Sequence, residues 1–125
     1  MGAVAVRDGS LLMIRRGRPP SEGRWSLPGG RVEWAEDLAT ALRREVAEET
    51  GFDVVVGGLA GLVERIYPDQ GFHYVILDYH VTVTGGLLLA GGDVTDARWV
   101  RLPDVPDLPL ADGLLESLRD FGVLI

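Results

Sequence analysis

Alternation of apolar and polar residues along much of the chain indicates β-structure. Near the start, residues 3–6 and 11–15 have the pattern of two strands, and Asp8-Gly9 between them is a favoured pair for a tight hairpin turn. Further extended segments are rich in β-branched residues and are bounded by glycine or proline. The sequence therefore predicts additional strands at residues 25–27, 52–61, 62–68, 73–84 and 97–101.

Two segments have helical spacing instead. Leu38, Leu42 and Val46 recur along one side of a helix predicted over residues 37–50, which is followed directly by a glycine. Apolar spacing over residues 114–121 predicts a closing helix. Strands grouped around separated helices indicate the α+β class, and 125 residues are enough for one domain that spans the whole chain.

The predicted helix over residues 37–50 carries three glutamates near its end. With about 100° per residue, Glu45 and Glu49 fall within about 20° of the centre of the apolar side, and Glu48 lies close to both. Each carboxylate in the last turn is disfavoured by roughly 0.3–1 kcal/mol. A solvated acidic face is the common arrangement, but such a face would be turned outward. We therefore interpret the three glutamates as ligands of a hard divalent cation, Mg²⁺ with Mn²⁺ as a substitute.

Composition excludes several kinds of partner and site. The formal net charge of −7 argues against a nucleic acid polymer, which requires a basic surface. The absence of cysteine excludes disulfides, thiolate catalysis and zinc–cysteine sites. All 12 basic side chains are arginine, the better bidentate binder of phosphate. No apolar run of about 18 residues and no signal sequence is present, so we expect a cytoplasmic protein without a membrane span.

A signature covers the region from Gly30 to Phe52, with the pattern G-x5-E-x7-R-E-U-x-E-E-x-G-U in which U is a bulky apolar residue. The matching residues are Gly30, Glu36, Arg44, Glu45, Val46, Glu48, Glu49, Gly51 and Phe52. R-W-S-L-P-G-G precedes it, and F-H-Y-V-I-L-D-Y and D-A-R-W-V-R-L follow it. Over nearly its whole length the chain resembles the Nudix hydrolase family, in its ADP-ribose pyrophosphatase-like branch. The resemblance implies the Nudix fold, a mixed β-sheet sandwiched between α-helices.

The resemblance also implies roles for the signature residues. Glu45, Glu48 and Glu49 are the expected metal ligands, and the carbonyl of Gly30 is an additional one. Arg44 is expected to orient a glutamate through a charge-assisted hydrogen bond. We therefore take Glu45, Arg44 and Glu48 as the candidate catalytic residues.

Two choices stay open at this level. Glu45 is the candidate general base, in competition with Asp93 and Asp96, because Arg98 stands where some relatives have a carboxylate. Glu36 either braces the loop before the helix or binds metal directly. Trp34-Ala35, next to Glu36, replaces the turn pair that relatives often have, so the loop geometry is expected to differ there.

Residues outside the signature must select the substrate. Arg15 and Arg24, together with Arg16, are candidates for phosphate contacts. Trp25 is expected either to stack on a base or to belong to the core. His73 follows a turn with Phe72 and Tyr74, and is either a pocket residue or an ordinary strand residue.

The expected activity is Mg²⁺-dependent hydrolysis of the pyrophosphate bond in a nucleoside diphosphate linked to another moiety. ADP-ribose, giving AMP and ribose 5-phosphate, is the favoured small-molecule substrate. The alternatives are a nucleoside triphosphate pyrophosphohydrolase that removes oxidised nucleotides such as 8-oxo-dGTP, and a non-catalytic Nudix domain that senses a ligand. The resemblance also leaves a homodimer open, with the apolar residues 121–125 as one surface that a partner copy could cover.

Overall fold

The structure is a computed structural model that describes all residues from Met1 to Ile125. Two short 3₁₀ helices, Pro68–Gln70 and Leu102–Asp107, accompany the main elements. In chain order the main elements are β1 Gly2–Val4, β2 Val6–Arg7, β3 Ser10–Arg16, β4 Trp25–Ser26, α1 Leu38–Thr50, β5 Phe52–Tyr67, β6 Phe72–Gly86, β7 Val94–Arg101 and α2 Leu114–Asp120.

The strands form two sheets. In the first sheet β6 lies at the centre, parallel to β1 and antiparallel to β5, so this sheet is mixed. In the second sheet β3 pairs antiparallel with β2, β4 and β7. The predicted hairpin turn at Asp8 and Gly9 is confirmed, with φ values of 52° and 76° that suit a two-residue turn. The single strand predicted over residues 3–6 is wrong, because the chain passes from one sheet to the other at Ala5.

Apolar side chains fill both faces of the strands and place one helix on each side. The core beneath α1 consists of Ala3, Ala5, Leu12, Leu42, Val46, Phe52, Val54 and Val81. The core beneath α2 consists of Val4, Leu11, Met13, Trp25, Leu27, Val105, Leu114 and Leu118. Neighbouring residues of one strand enter opposite cores because side chains alternate along a strand. The α+β class, with strands between helices, is therefore confirmed.

The separate strands predicted at residues 52–61 and 62–68 are one strand, β5. Three shifts of register interrupt its pairing with β6, including those between Val56 and Leu59 and between Leu59 and Gly61. In the sequence these glycines resemble a boundary between two strands. In the sheet they lie at bulges of one continuous strand, where glycine is common. The prediction that β7 begins at residue 97 was also wrong, because pairing with β3 begins at Val94.

Helix α1 begins and ends where its residues predict. The Asp37 side chain caps the first turn by accepting a hydrogen bond from the backbone N–H of Thr40 at 2.7 Å. Gly51 ends the helix with a left-handed φ of 78°. Leu42 and Val46 are fully buried as expected, whereas Leu38 in the first turn is 37% exposed, so the apolar side faces the core only beyond the first turn. Neither helix has the length and apolar character required to cross a lipid bilayer.

Candidate active site

The turn formed by Pro28, Gly29 and Gly30 lies against the second half of helix α1. The backbone N–H of Gly29 donates a hydrogen bond to Oε1 of Glu49 at 2.8 Å. A Cβ atom on Gly30 would lie 2.4 Å from the carboxyl carbon of Glu45, which is far inside van der Waals contact. Glycine is therefore required at position 30 if the Glu45 carboxylate is to lie directly against the turn.

The three glutamates of α1 differ in exposure. The Glu45 side chain is only 17% exposed, whereas that of Glu48 is 53% exposed. Glu49 is partly buried behind the glycine turn. The inward orientation predicted from helical phase is thus confirmed for Glu45 and Glu49, while Glu48 lies at the rim of the site.

Arg44 connects the loop before α1 to the acidic end of the helix. Its Nε and Nη2 atoms donate to the two carboxylate oxygens of Glu36 at 2.8 and 2.9 Å, and its Nη1 atom donates to Glu45 at 2.8 Å. A further hydrogen bond reaches the carbonyl oxygen of Arg31 at 3.1 Å. The bidentate, charge-assisted pair with Glu36 holds the guanidinium in place. The single hydrogen bond to Glu45 is the contact that the orienting role predicted for Arg44 requires.

The same contacts decide the role of Glu36. Hydrogen bonds from Arg44, and next from the backbone N–H of Glu33, lower the pKa of Glu36 to about 2. The contacts with Glu36 and Glu45 in turn raise the pKa of Arg44. Both Glu36 oxygens are thus engaged by arginine, which favours the bracing role that the sequence left open.

The loop that Glu36 braces contains a turn closed by a 3.0 Å hydrogen bond from the N–H of Glu36 to the carbonyl of Glu33. Ala35 has a left-handed φ of 63° in this turn, a conformation that costs an alanine roughly 1–2 kcal/mol. Trp34 is 96% exposed. The pair Trp34-Ala35 therefore forms the turn, with backbone strain at Ala35.

Burial gives Glu49 an unusual protonation equilibrium. Desolvation raises the pKa of Glu49 to about 7, and the negative charges of Glu45 and Asp93 add to this rise. The hydrogen bond from Gly29 and the positive charge of Arg16 oppose it. The protonated and ionised forms of Glu49 are therefore close in free energy near neutral pH, and a cation beside the carboxylate would favour the ionised form.

The donor atoms in this region suit a hard cation. Glu45, Glu49 and the Gly30 carbonyl all offer oxygen, the ligand that Mg²⁺ prefers. The Gly30 carbonyl accepts a hydrogen bond from the Met1 amino group at 2.7 Å and keeps a second lone pair. No three acidic or histidine side chains converge closely enough to form a complete metal centre. Mg²⁺ is commonly held by one or two carboxylates together with substrate phosphates, so the donors present fit such a cation.

The two alternative base residues lie in different surroundings. Both Asp96 oxygens are engaged, one by Arg98 at 2.7 Å and the other by the N–H of Ala97 at 2.8 Å. Asp93 is exposed, pairs with Arg18 at 3.1 Å and lies close enough to Glu49 to influence its pKa. Asp93 therefore remains a competitor of Glu45, whereas Asp96 is held by its own neighbours.

The residues predicted to bind substrate do not converge on one cleft. Nε of Arg15 donates to the Gly23 carbonyl at 3.0 Å, and Nη1 of Arg24 donates to the Leu110 carbonyl at 3.2 Å. Trp25 is only 6% exposed and belongs to the core beneath α2, so its base-stacking role is not supported. These side chains are engaged in holding loops or filling the core.

His73 is also placed differently from the prediction of a pocket residue. Its Nε2 atom lies 2.7 Å from Oε2 of Glu64 on the neighbouring strand. Because side chains alternate along β6, His73 and Tyr74 lie on opposite faces of the sheet. Tyr74 is the residue that contacts the signature loop, and His73 is placed as the ordinary strand residue that the sequence left as its alternative.

The sequence did not identify Arg31, which directly follows the glycine turn. Nη2 of Arg31 donates to the Tyr74 hydroxyl at 3.1 Å, and its guanidinium lies 5.7 Å from the centre of that ring. Tyr74 stacks on Phe72 with ring centres 5.6 Å apart. Arginine at a variable position of a signature has no distinguishing pattern, so only the fold brings it to this aromatic pair.

The two-sheet α+β fold, with a glycine turn packed against the carboxylates of α1, is the arrangement expected of a Nudix domain from the signature. The family model described as "NUDIX domain" matches residues 1–121, and the chain belongs to the Nudix family.

Individual relatives agree with this family. An ADP-ribose pyrophosphatase from Methanocaldococcus jannaschii is 36% identical over 111 residues, which cover 85% of this chain and 66% of the relative. An 8-oxo-dGDP phosphatase from Danio rerio is 33% identical over 128 residues, covering 98% of this chain and 37% of the relative. The chain thus spans less than two thirds of the length of these relatives. A MutT NUDIX hydrolase from Burkholderia pseudomallei has a similar structure, with a TM-score of 0.86, 34% identity and coverage of 95% and 93% of the two chains.

Proposed function

We propose that this protein is a divalent-metal-dependent hydrolase that cleaves the pyrophosphate bond of a nucleoside diphosphate linked to another moiety. The favoured substrate is ADP-ribose, with AMP and ribose 5-phosphate as products. One observation carries the proposal: Glu45 and Glu49 are turned inward against the Gly29-Gly30 turn. Burial there raises the pKa of Glu49 to about 7, so the ionised site favours a cation.

Glu45, Glu49 and the Gly30 carbonyl are the proposed ligands of Mg²⁺ or Mn²⁺, with Glu48 at the rim. The negative oxygens of a phosphoanhydride repel a nucleophile. A divalent cation in this site would neutralise that charge and lower the pKa of the attacking water.

The protein's own residues have separate tasks in this proposal. Arg44 holds the Glu45 carboxylate through its 2.8 Å hydrogen bond, so the carboxylate keeps one orientation. Glu45 accepts the proton of the attacking water, with Asp93 as the competing base. Arg16, whose charge acts on Glu49, offers a positive charge to the substrate phosphates.

The proposed nucleotide contact is the group of Arg31, Phe72 and Tyr74. Aromatic rings stack on nucleobases, and guanidinium groups bind phosphate or stack on bases. Arg31 directly follows Gly30 in the chain, and its contact with Tyr74 brings the aromatic pair toward the proposed metal ligands. The M. jannaschii relative, named as an ADP-ribose pyrophosphatase, supports ADP-ribose as the substrate.

The second candidate is a nucleoside triphosphate pyrophosphohydrolase that acts on oxidised nucleotides. The D. rerio relative, named as an 8-oxo-dGDP phosphatase, supports an oxidised purine nucleotide as substrate. The two activities differ in their products. ADP-ribose would give AMP and ribose 5-phosphate, whereas a triphosphate would give a nucleoside monophosphate and pyrophosphate.

The test is a Mg²⁺-dependent hydrolysis assay over ADP-ribose, 8-oxo-dGTP, ordinary nucleoside triphosphates, NADH and dinucleotide polyphosphates, with product identification. ADP-ribose should have the highest kcat/KM, and Glu45→Gln should reduce it at least 100-fold. Glu116→Gln, at an exposed position of α2, is the matched control and should leave the rate unchanged. Absence of product from every compound, with tight binding of ADP-ribose, would overturn hydrolysis in favour of a sensing domain.

A further inference from the structure

The strands β5 and β6 extend beyond the rest of their sheet. Strand β1 pairs only with Asp78, Tyr79 and His80 of β6, so residues 62–67 and 72–77 pair with each other alone. Helix α1 does not cover this part either. Its first turn ends beside a recess of about 370 Å³ lined by Leu38, Val56 and Tyr79, among others. The end of the hairpin is therefore a two-stranded ribbon, an arrangement that is marginally stable alone in water.

The face of the ribbon on the α1 side is apolar and uncovered. Side chains alternate along a strand, so Tyr79, Leu77 and Val75 of β6 share the face that α1 covers further along at Val81. Their pairing partners on β5 include Leu59 and Leu62. We call this surface the outer face of the hairpin, formed by Leu59, Leu62, Ile66, Val75, Leu77 and Tyr79.

Four side chains of the outer face are more than half exposed: Leu59 is 53% exposed, Leu62 60%, Ile66 56% and Val75 62%. Each exposes on the order of 100 Å² of apolar surface. The total of roughly 400 Å² lies within the range of about 300–600 Å² for the largest apolar patch of a monomer, which is often a site of interaction.

The charges on the outer face differ from those of the molecule as a whole. The protein has a net charge of −7, so most pairs of surfaces from two copies repel each other. The charged side chains interspersed with the outer face are instead one acid and one base, Glu64 and His73, whose carboxylate oxygen and ring nitrogen lie 2.7 Å apart. In a two-fold arrangement the Glu64 of one copy can approach the His73 of the other, so the face is complementary to itself.

We propose that the outer face is the interface with a second copy of this chain, packed face to face about a two-fold axis. Two sheets that pack in this way bury their apolar side chains between them. A stable interface covers about 800 Å² per partner, with an apolar core and a polar rim. Roughly 400 Å² of apolar surface supplies such a core, and Glu64, His73 and the strand edges supply the rim. The proposal does not depend on the hydrolase activity.

The test is sedimentation or light scattering of the full chain at about 1–100 µM. We expect a mass of twice 13.5 kDa. Leu62→Glu and Val75→Glu place like charges across the two-fold axis and should each raise the dissociation constant at least tenfold. Leu87→Glu is the matched control, because Leu87 is 85% exposed on a loop outside the hairpin, and it should leave the dimer unchanged.

Circular dichroism and a thermal melt establish that each variant is folded, and Leu62→Ser repeats the test without an added charge. A monomer of 13.5 kDa at 100 µM would overturn the proposal. So would a dimer that survives Leu62→Glu, Val75→Glu and Leu62→Ser, because its interface would then lie elsewhere, such as the free edge of β5. Both results would leave the hydrolysis assay unaffected, so failure of this proposal and failure of the proposed function are distinguishable.

Discussion

Replacing Glu49 by glutamine should make the metal-free protein more stable at neutral pH while destroying its activity. The substitution keeps the size of the side chain and an oxygen that accepts the 2.8 Å hydrogen bond from Gly29. It removes the negative charge that burial and the charges of Glu45 and Asp93 disfavour. The substitution therefore separates the free-energy cost of burying a charged carboxylate from the contribution of that carboxylate to activity.

The magnitude follows from the rise in the pKa of Glu49 from 4.5 to about 7. Because the folded state binds the proton more tightly than the unfolded state, stability of the parent protein falls as the pH rises through this interval. At about 1.36 kcal/mol per pKa unit, the loss approaches about 3 kcal/mol at pH 8. Glu49→Gln should recover this amount at pH 8, but less than about 1 kcal/mol at pH 4.5.

The assay is thermal or urea unfolding of both proteins in EDTA at pH 4.5 and pH 8. For a domain of this size, about 3 kcal/mol corresponds to a rise in Tm of roughly 10 °C at pH 8. Added Mg²⁺ should stabilise the parent protein but not the variant. Glu116→Gln, on the exposed side of α2, controls for a general effect of net charge. The reasoning about burial is refuted if Glu49→Gln gives no gain at pH 8 relative to pH 4.5.

Other substitutions test single contacts. Arg44→Lys cannot form the bidentate pair, so kcat/KM should fall about 10–100-fold, whereas Arg43→Lys on the exposed side should change it less than twofold. Gly30→Ala should leave the Tm within a few degrees, because the Glu45 carboxyl group that the new methyl group meets can rotate away, but it should reduce kcat at least tenfold. The control is Gly58→Ala, which has open space around its Cβ position and should have normal kinetics. Ala35→Gly relieves the left-handed φ of 63° and should raise stability by about 0.5–1 kcal/mol in thermal unfolding, and an unchanged or lower Tm would contradict strain there.

The helix and its acidic end could be predicted from sequence because their signals are local. Helical phase depends only on the spacing of Leu42, Val46 and the glutamates, so the burial of Glu45 followed from counting residues. The cap at Asp37 and the glycine stop are equally local. The contact between Arg44 and Glu45 was accessible as well, because the signature places the two residues next to each other.

The substrate residues were less predictable because their positions depend on distant pairing. Trp25 has an aromatic side chain that could stack on a base, yet core packing beneath α2 buries its ring. The face on which His73 lies depends on the register between β5 and β6, and the bulges near Leu59 shift that register. Arg31 meets Tyr74 across 43 positions of the chain, which no local pattern encodes.

The segment at the first strand limits the insertions and deletions that this protein can tolerate. Ala3 and Ala5 contribute to one hydrophobic core and Val4 to the other, all within three residues that are nearly inaccessible to water. Inserting or deleting one residue there would exchange the side chains that each core receives. Because both cores share this short segment, unfolding of either core should unfold the other. The whole chain should therefore unfold in a single transition.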